Sequence, residues 1–156
     1  MSIHSSGTSA IIGGPPDASD QRPARVLVLF EPTRSGVAAL RDAAALVDGE
    51  LTVVTLAPQS LPPRCCARGP GVEVVNCVIR EEAAGELQEA REILGPDATQ
   101  VSFRTLVGTH DPPADVWAAE QSFDLIVLPS RRLALGGHPL ARRMRRTTGA
   151  EVRVVG

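Results

Sequence analysis

The stretch FDLIVLPSRRLALGGHPLARRMRRTTGAEVRVV, residues 123–155, runs from an apolar segment through a glycine-containing loop into an arginine-rich segment and back to an apolar one. Leu140 and Met144 lie four residues apart, as on one side of a helix, within HPLARRMRRTTG. The flanking DLIVLP and EVRVV are rich in β-forming residues. This order predicts a strand, a loop, a short helix and a second strand, which is a βαβ unit with parallel strands.

The same alternation recurs upstream, which makes the whole chain an α/β protein. Five strands are predicted, and the period-two alternation of the third suits an edge position. They are RVLVLF (25–30), LTVVTLAP (51–58), QVSFRTLVG (100–108), DLIVLP (124–129) and EVRVV (151–155). Helices between them would cover both faces of a parallel sheet, in a Rossmann-like arrangement.

Helical spacing of apolar residues defines the connecting helices. The first follows Thr33, and its apolar side carries Val37, Leu40, Ala44 and Val47. The second is predicted from about Asn76 to Leu94, because VEVVNCVI has strand propensity at its start; glutamates line its outer side, and its apolar stripe contains Val75, Ile79, Ala83, Leu87, Ala90 and Leu94. The third is capped by Asp111, with a buried face beginning at Val116, Trp117 and Ala119 or Glu120.

Composition bounds the class of protein. The 156 residues are 43% hydrophobic, enough for one domain with a real core. Residues 1–24 are rich in Ser, Gly, Pro and Asp and are predicted to be a disordered tail, followed by a single domain at 25–156. The net charge of -2 gives no basic field for nucleic acid or membrane surfaces, and all 16 cations are arginines. Without a signal peptide or an apolar run that could span a bilayer, we expect a cytoplasmic protein.

Cysteine and histidine residues give little support for catalysis or metal binding. Cys65, Cys66 and Cys77 lack the CxxC spacing of zinc sites and are expected to be reduced thiols. Arg64 and Arg68 flank the adjacent pair and would favour its thiolate, which leaves a redox-sensor hypothesis open. His4, His110 and His138 stand beside no recognised nucleophile motif. We therefore predict no enzyme activity and no metal.

A ligand in such a sheet binds outside the carboxyl ends of the strands, where the strand order reverses. Three segments meet there: FEPTRSG (30–36), TLAPQS (55–60) and LPSRRLALGGH (128–138). Together with the β-α order, they resemble the universal stress protein family over Arg25 to Val155. FEPT stands where the family has a triplet such as Asp-Gly-Ser, GTHDPPADVW is similar to its Gly-Asp-Pro junction, and the final strand-loop-helix-strand matches its end.

This resemblance implies a five-stranded parallel sheet of the adenine nucleotide alpha hydrolase-like type, and a homodimer formed through the last strand. Nucleotide-binding members carry a loop of the form G-x-x-G, about nine residues and then Gly-Ser or Gly-Thr. Pro129 and Arg132 fall on the two glycines, and Gly137-His138 or His138-Pro139 on the final pair. Pro129 has no N–H to donate, and Arg132 brings a side chain into the space that a phosphate needs.

The family's adenine-contacting acid would fall on Glu31, and Thr33 offers a hydroxyl nearby. The candidate residues for a nucleotide or an anion are therefore Glu31, Thr33, Ser130, Arg131, Arg132 and Gly137. Arg142, Arg143, Arg145 and Arg146 extend this basic region, but arginines in a last helical turn also offset the helix dipole, and a solvated helix is the favoured interpretation. No aromatic residues interleave to stack bases, so nucleic acid is not an expected ligand.

The leading hypothesis is a non-enzymatic stress-response or regulatory module that acts through dimerisation and an unidentified protein partner, with ATP binding lost and no cofactor. The alternative is a protein of this family that binds ATP or another adenine nucleotide. A third class is an enzyme on a related doubly wound fold, such as an electron-transfer flavoprotein-like or nucleotidyl-transfer domain. That class lacks a convincing acid, base or nucleophile set.

Overall fold

The structure, a computed structural model, describes residues 22–59, 70–109, 114–130 and 138–156. The predicted disordered tail falls mainly on residues 1–21, outside the described residues, as does Asp111. Strands and helices alternate along the rest of the chain. In chain order they are β1 (Arg25–Leu29), α1 (Arg34–Leu46), β2 (Glu50–Gln59), α2 (Pro70–Leu94), a 3-10 helix (Gly95–Gln100), β3 (Val101–Thr109), α3 (Ala114–Gln121), β4 (Leu125–Pro129), α4 (Pro139–Thr147) and β5 (Glu151–Val155).

The five strands form one parallel sheet in the order β3-β2-β1-β4-β5. The predicted α/β class, the five strands and the edge position of β3 are thereby confirmed. Side chains alternate along β1: Val26 and Val28 pack with α1 and α2, whereas Leu27 and Leu29 pack with α3 and α4. Each face of the sheet therefore carries its own hydrophobic core, as expected when both faces of a parallel sheet are covered.

The second helix begins earlier than the sequence pattern indicated. It starts at Pro70 rather than near Asn76, with the proline in the first helical turn, where its missing N–H leaves no bond unmade. Val75, predicted on the buried stripe, is 48% exposed, and the neighbouring Val74 and Val78 are also exposed. Ala83, Leu87 and Ala90 are buried as predicted. The predicted start was too late because the β-branched residues there have strand propensity, and that part of the helix has little to pack against.

The buried face predicted for the third helix is wrong. Ala114 and Ala118 are its buried residues, while Val116 is 53% exposed and Ala119 and Glu120 are exposed. Trp117 is half-buried, with its ring centroid 5.7 Å from that of Phe123. Small residues line the buried side, so the backbone of this short helix approaches its neighbours closely and the larger side chains lie at its margin.

One carboxylate joins the amino ends of the adjacent strands β1 and β4. Asp124, just before β4, accepts hydrogen bonds from the backbone N–H groups of Ala24 and Arg25 at 3.1 and 2.9 Å. The Asp124 N–H in turn donates to the carbonyl of Arg25 at 2.9 Å. This clamp sets the relative position of β1 and β4, whose opposite ends frame the candidate site.

Candidate functional site

The strand order reverses between β1 and β4. From β1 the chain crosses to β2 on one side, and from β4 it crosses to β5 on the other, so the loops after β1 and β4 diverge. A crevice at the carboxyl ends of two such strands is the usual ligand position in open α/β sheets. The described residues there are 30–36, Pro129, Ser130 and His138 onwards; Arg131, Arg132 and Gly137 lie outside the described residues.

The loop after β1 is held by its own hydrogen bonds. Thr33 caps α1: its Oγ1 accepts from the N–H of Gly36 at 3.0 Å, and its own N–H donates to the carbonyl of Glu31 at 2.7 Å. A Cβ added at Gly36 would overlap that same carbonyl oxygen, so α1 starts in direct contact with the loop. The Thr33 hydroxyl predicted as a ligand group is thus a helix cap.

Ser130 is likewise integrated into the fold. Its N–H donates to the carbonyl of Val155 in β5 at 2.6 Å, and its carbonyl accepts from the hydroxyl of Ser35 at 3.0 Å. The Ser35 hydroxyl also lies 3.2 Å from Thr33 Oγ1. Gly156 packs against the Ser130 side chain so closely that a Cβ on it would overlap Ser130 Oγ. The backbone groups of Ser130 are therefore used to join α1, β4 and β5.

The start of α4 is occupied by His138. Its Nδ1 accepts from the N–H of Ala141 at 3.2 Å, so this nitrogen carries no hydrogen. The hydrogen of the neutral ring is then on Nε2, which lies 3.1 Å from the carbonyl oxygen of Pro129 and donates to it. The next residue, Pro139, has no N–H. A phosphate bound at a helix N-terminus needs free N–H groups. Here the Ala141 N–H is already bonded to the imidazole, and Pro139 has no N–H to offer.

Glu86 of α2 and Glu31, two residues after β1, are near enough for their charges to interact. Glu86 projects from α2, and burial raises the pKa of its carboxyl, with further contributions from the negative charges of Glu31, Glu82 and Glu89. Glu31 itself is half-buried. This local field favours a neutral or hydrogen-bond-donating ligand group and opposes a phosphate.

Two of the four arginines of α4 form bonds to neighbouring elements of the fold. Arg143 forms an ion pair with Asp115 of α3 at 3.2 Å, and Arg145 donates to the carbonyl oxygen of Val152 in β5 at 3.1 Å. Arg142, Arg145 and Arg146 are exposed, and Arg143 is half-buried. Arg145 and Arg146 stand in the last turn, where positive charge offsets the helix dipole, as the favoured interpretation has it. Arg143 and Arg145 in addition join α4 to α3 and β5, which a purely solvated helix would not do.

Among the described residues, no group of His, Cys, Asp and Glu could hold a metal ion. Cys77 is an exposed free thiol on α2, 3.6 Å from Glu81 Oε1; Cys65 and Cys66, with the redox hypothesis attached to them, lie outside the described residues, as do His4 and His110. No helix in the described ranges is both long enough and apolar enough to cross a bilayer.

Sequence reasoning missed the structural use of Ser35, His138 and Glu86. The position of His138 directly before a proline and an apolar helical pattern is a sequence signal for a helix cap, although the usual cap residues are Ser, Thr, Asp and Asn. The proximity of Glu86 to Glu31 has no local signal, because it depends on how α2 packs across the sheet.

No protein-family model matches the sequence, and no curated protein matches it. Solved structures do. A universal stress protein family member from Burkholderia pseudomallei superimposes with a TM-score of 0.64 at 17% identity, over 85% of this chain and 96% of the other. UspA from Lactobacillus plantarum gives 0.65 at 15% identity, over 88% and 100%. The fold is that of the universal stress proteins.

A universal stress protein family member from Arabidopsis thaliana, solved with AMP bound, matches the same fold less closely. Its TM-score is 0.54 at 11% identity, over 85% of this chain and 91% of the other. The fold implied by the resemblance is therefore confirmed over nearly the full length of these universal stress proteins.

Proposed function

We propose that this protein is a non-enzymatic regulatory module with the universal stress protein fold, which acts through dimerisation and protein partners and has lost the phosphate site of the nucleotide-binding members. The observation that carries the proposal is that backbone N–H groups at the β1–β4 crevice are either bonded within the fold or absent. The Ser130 N–H is bonded to Val155, and the α4 N-terminus is capped by His138 and followed by Pro139.

Two further features support loss of the phosphate site. Pro129 and Arg132 stand at the positions of the two glycines that let backbone N–H groups approach a phosphate closely. Glu31 and Glu86 add negative charge at the end of β1. Both features oppose the binding of an anion. Together they leave few favourable contacts to compensate the cost of removing a phosphate from water.

Isothermal titration with ATP, AMP and adenosine tests this proposal. We expect no saturable heat with ATP at millimolar concentration and no shift in the melting temperature, because a ligand that binds the native state raises it by mass action. Saturable binding of ATP with a micromolar dissociation constant would contradict the proposal.

The second candidate is adenine nucleotide binding, favoured by the AMP-bound Arabidopsis relative of the fold and by the half-buried Glu31 at the end of β1. The same titration distinguishes recognition of the base from recognition of the phosphate. Equal affinity for adenosine and AMP, lost in Glu31→Ala, would indicate a base site without a phosphate site. Tighter binding of AMP and ATP than of adenosine would favour an intact nucleotide site.

Dimerisation is proposed to use β5. This strand ends the sheet, and an open edge with unpaired backbone groups needs a partner or a cover. Val154 on β5 is 37% exposed. Light scattering should report a species of twice the chain mass at high protein concentration, whereas a monomer at every concentration would count against the proposed dimer.

A further inference from the structure

The outward groups of β5 follow from its pairing with β4. The N–H of Glu151 donates to the carbonyl of Asp124, and the carbonyl of Val155 accepts from the N–H of Ser130, so residues 151, 153 and 155 point toward β4. Backbone N–H and C=O groups alternate sides along a strand. Val152 and Val154 therefore present their N–H and C=O groups to the open edge.

One of these outward acceptors is occupied. Arg145 of α4 reaches the edge of β5, and its Nη2 donates to the carbonyl oxygen of Val152 at 3.1 Å. A strand added to this edge would lie about 4.8 Å from β5 and would send an N–H to the same oxygen. The guanidinium group of Arg145 already donates to that oxygen and therefore competes with an added strand for it.

The side chains of β5 are complementary to a second copy in one antiparallel register. With a two-fold axis at Val152, Glu151 faces Arg153 of the other copy twice, and Val152 faces its own copy. Glu151 and Arg153 have side chains 66% and 42% exposed, so both are within reach of such a partner. An axis at Arg153 would instead oppose two arginines, which is unfavourable for directly facing residues.

We propose that β5 pairs with β5 of a second copy about a two-fold axis at Val152, and that Arg145 weakens this pairing by holding the Val152 carbonyl. This inference rests on the proposed dimerisation. It adds the register in which the two strands pair and the residue that limits their pairing. Edge strands of natural proteins commonly carry charged groups that limit pairing, and here the charge comes from the neighbouring helix. Dimer formation then requires Arg145 to give up its bond.

The dissociation constant of the dimer, measured by analytical ultracentrifugation, tests the role of Arg145. Arg145→Ala should dimerise roughly tenfold more tightly than wild type, the order expected for removing one charged hydrogen bond that competes with association. Arg146→Ala removes the same charge from the same helical turn at an exposed position and should leave the constant close to that of wild type. A purely structural role of Arg145 would weaken the dimer or leave it unchanged.

Val154→Pro separates this inference from the proposed dimer. The Val154 N–H points away from β4, so proline removes an edge donor without breaking a bond of the sheet, and circular dichroism checks that the fold is kept. If Val154→Pro weakens association while Arg145→Ala matches wild type, the edge pairs but Arg145 does not control it. If Val154→Pro associates as wild type does, or no variant associates, β5 is not the pairing edge and both proposals are overturned.

The register has its own test. Glu151→Arg and Arg153→Glu should each self-associate more weakly than wild type, because each places like charges opposite one another. An equimolar mixture should form the mixed dimer, in which both facing pairs are again of opposite charge. Unchanged self-association of both single variants would overturn the axis at Val152.

Discussion

Gly36 is the residue on which the start of α1 depends. It is buried at the third position of the helix, where its N–H is bonded to Thr33, and any Cβ there would overlap the Glu31 carbonyl oxygen. A backbone oxygen cannot move aside as a flexible side chain can. The close contact of α1 with the loop after β1 therefore requires glycine at this position.

Gly36→Ala should lower the free energy of unfolding by about 1–3 kcal/mol, the usual cost of overpacking a tight site. Gly85 provides the matched control, because it is also a helical glycine but has open space around the position of a Cβ. Gly85→Ala should raise stability by about 0.5–1 kcal/mol through its better helix propensity. Urea unfolding measures both; equal effects of the two changes would contradict the contact at Gly36.

At the scale of elements, α4 begins with an unusual cap. His138→Ala removes the acceptor for the Ala141 N–H and should destabilise the protein by about 1 kcal/mol. His138→Ser supplies a hydroxyl of the kind that caps helices well and should recover most of that loss. The urea midpoints of the three proteins provide the comparison. If both variants unfold at the same urea concentration as wild type, the cap contributes nothing to stability.

The elements that the sequence predicted best are those with one dominant signal. RVLVLF and DLIVLP are nearly continuous apolar runs and became β1 and β4, adjacent inner strands buried on both faces. The predicted start of α2 and the predicted buried side of α3 were wrong. Valines near Val75 favour strand in isolation, and the packing of α3 depends on alanines that carry no strong pattern.

The candidate site was predictable in position but not in detail. Parallel alternation places the ends of β1 and β4 together, and this follows from the strand pattern alone. The bond from Ser130 to Val155 requires the register of β4 against β5, and the raised pKa of Glu86 requires the packing of α2. Both are long-range relations that no local window of sequence contains.

At the scale of the whole molecule, the acidic cluster at Glu86 couples α2 to the end of β1 and makes stability depend on pH. The pKa of Glu86 is raised in the folded state, first by burial and then by Glu31, Glu82 and Glu89. The folded state therefore holds this proton more tightly than the unfolded state does. The associated stability is fully present below the unfolded pKa of about 4.5 and is lost as the pH rises through the folded value.

Glu86→Gln should consequently be more stable than wild type at pH 7, by about 0.5 kcal/mol, the scale of like-charge pairs on a helix surface. The difference should vanish below pH 4.5, where the wild-type carboxyl is protonated in both states. Glu120→Gln, an exposed change on α3 on the opposite face of the sheet, should show no such gain at pH 7. Thermal melts across this range provide the measurement, and a gain that persists at low pH would point to a cause other than charge.

The two faces of the sheet have separate cores, and only one of them contains the single tryptophan. Trp117 lies beside Phe123 in the core shared by α3 and α4, and the chain has no tyrosine. Its indole emission is thus a built-in probe of that core alone, while far-ultraviolet circular dichroism averages over all the helices. Coincidence of the two signals during unfolding would show that both layers melt as one cooperative unit, and separation would show that the sheet can lose one layer first.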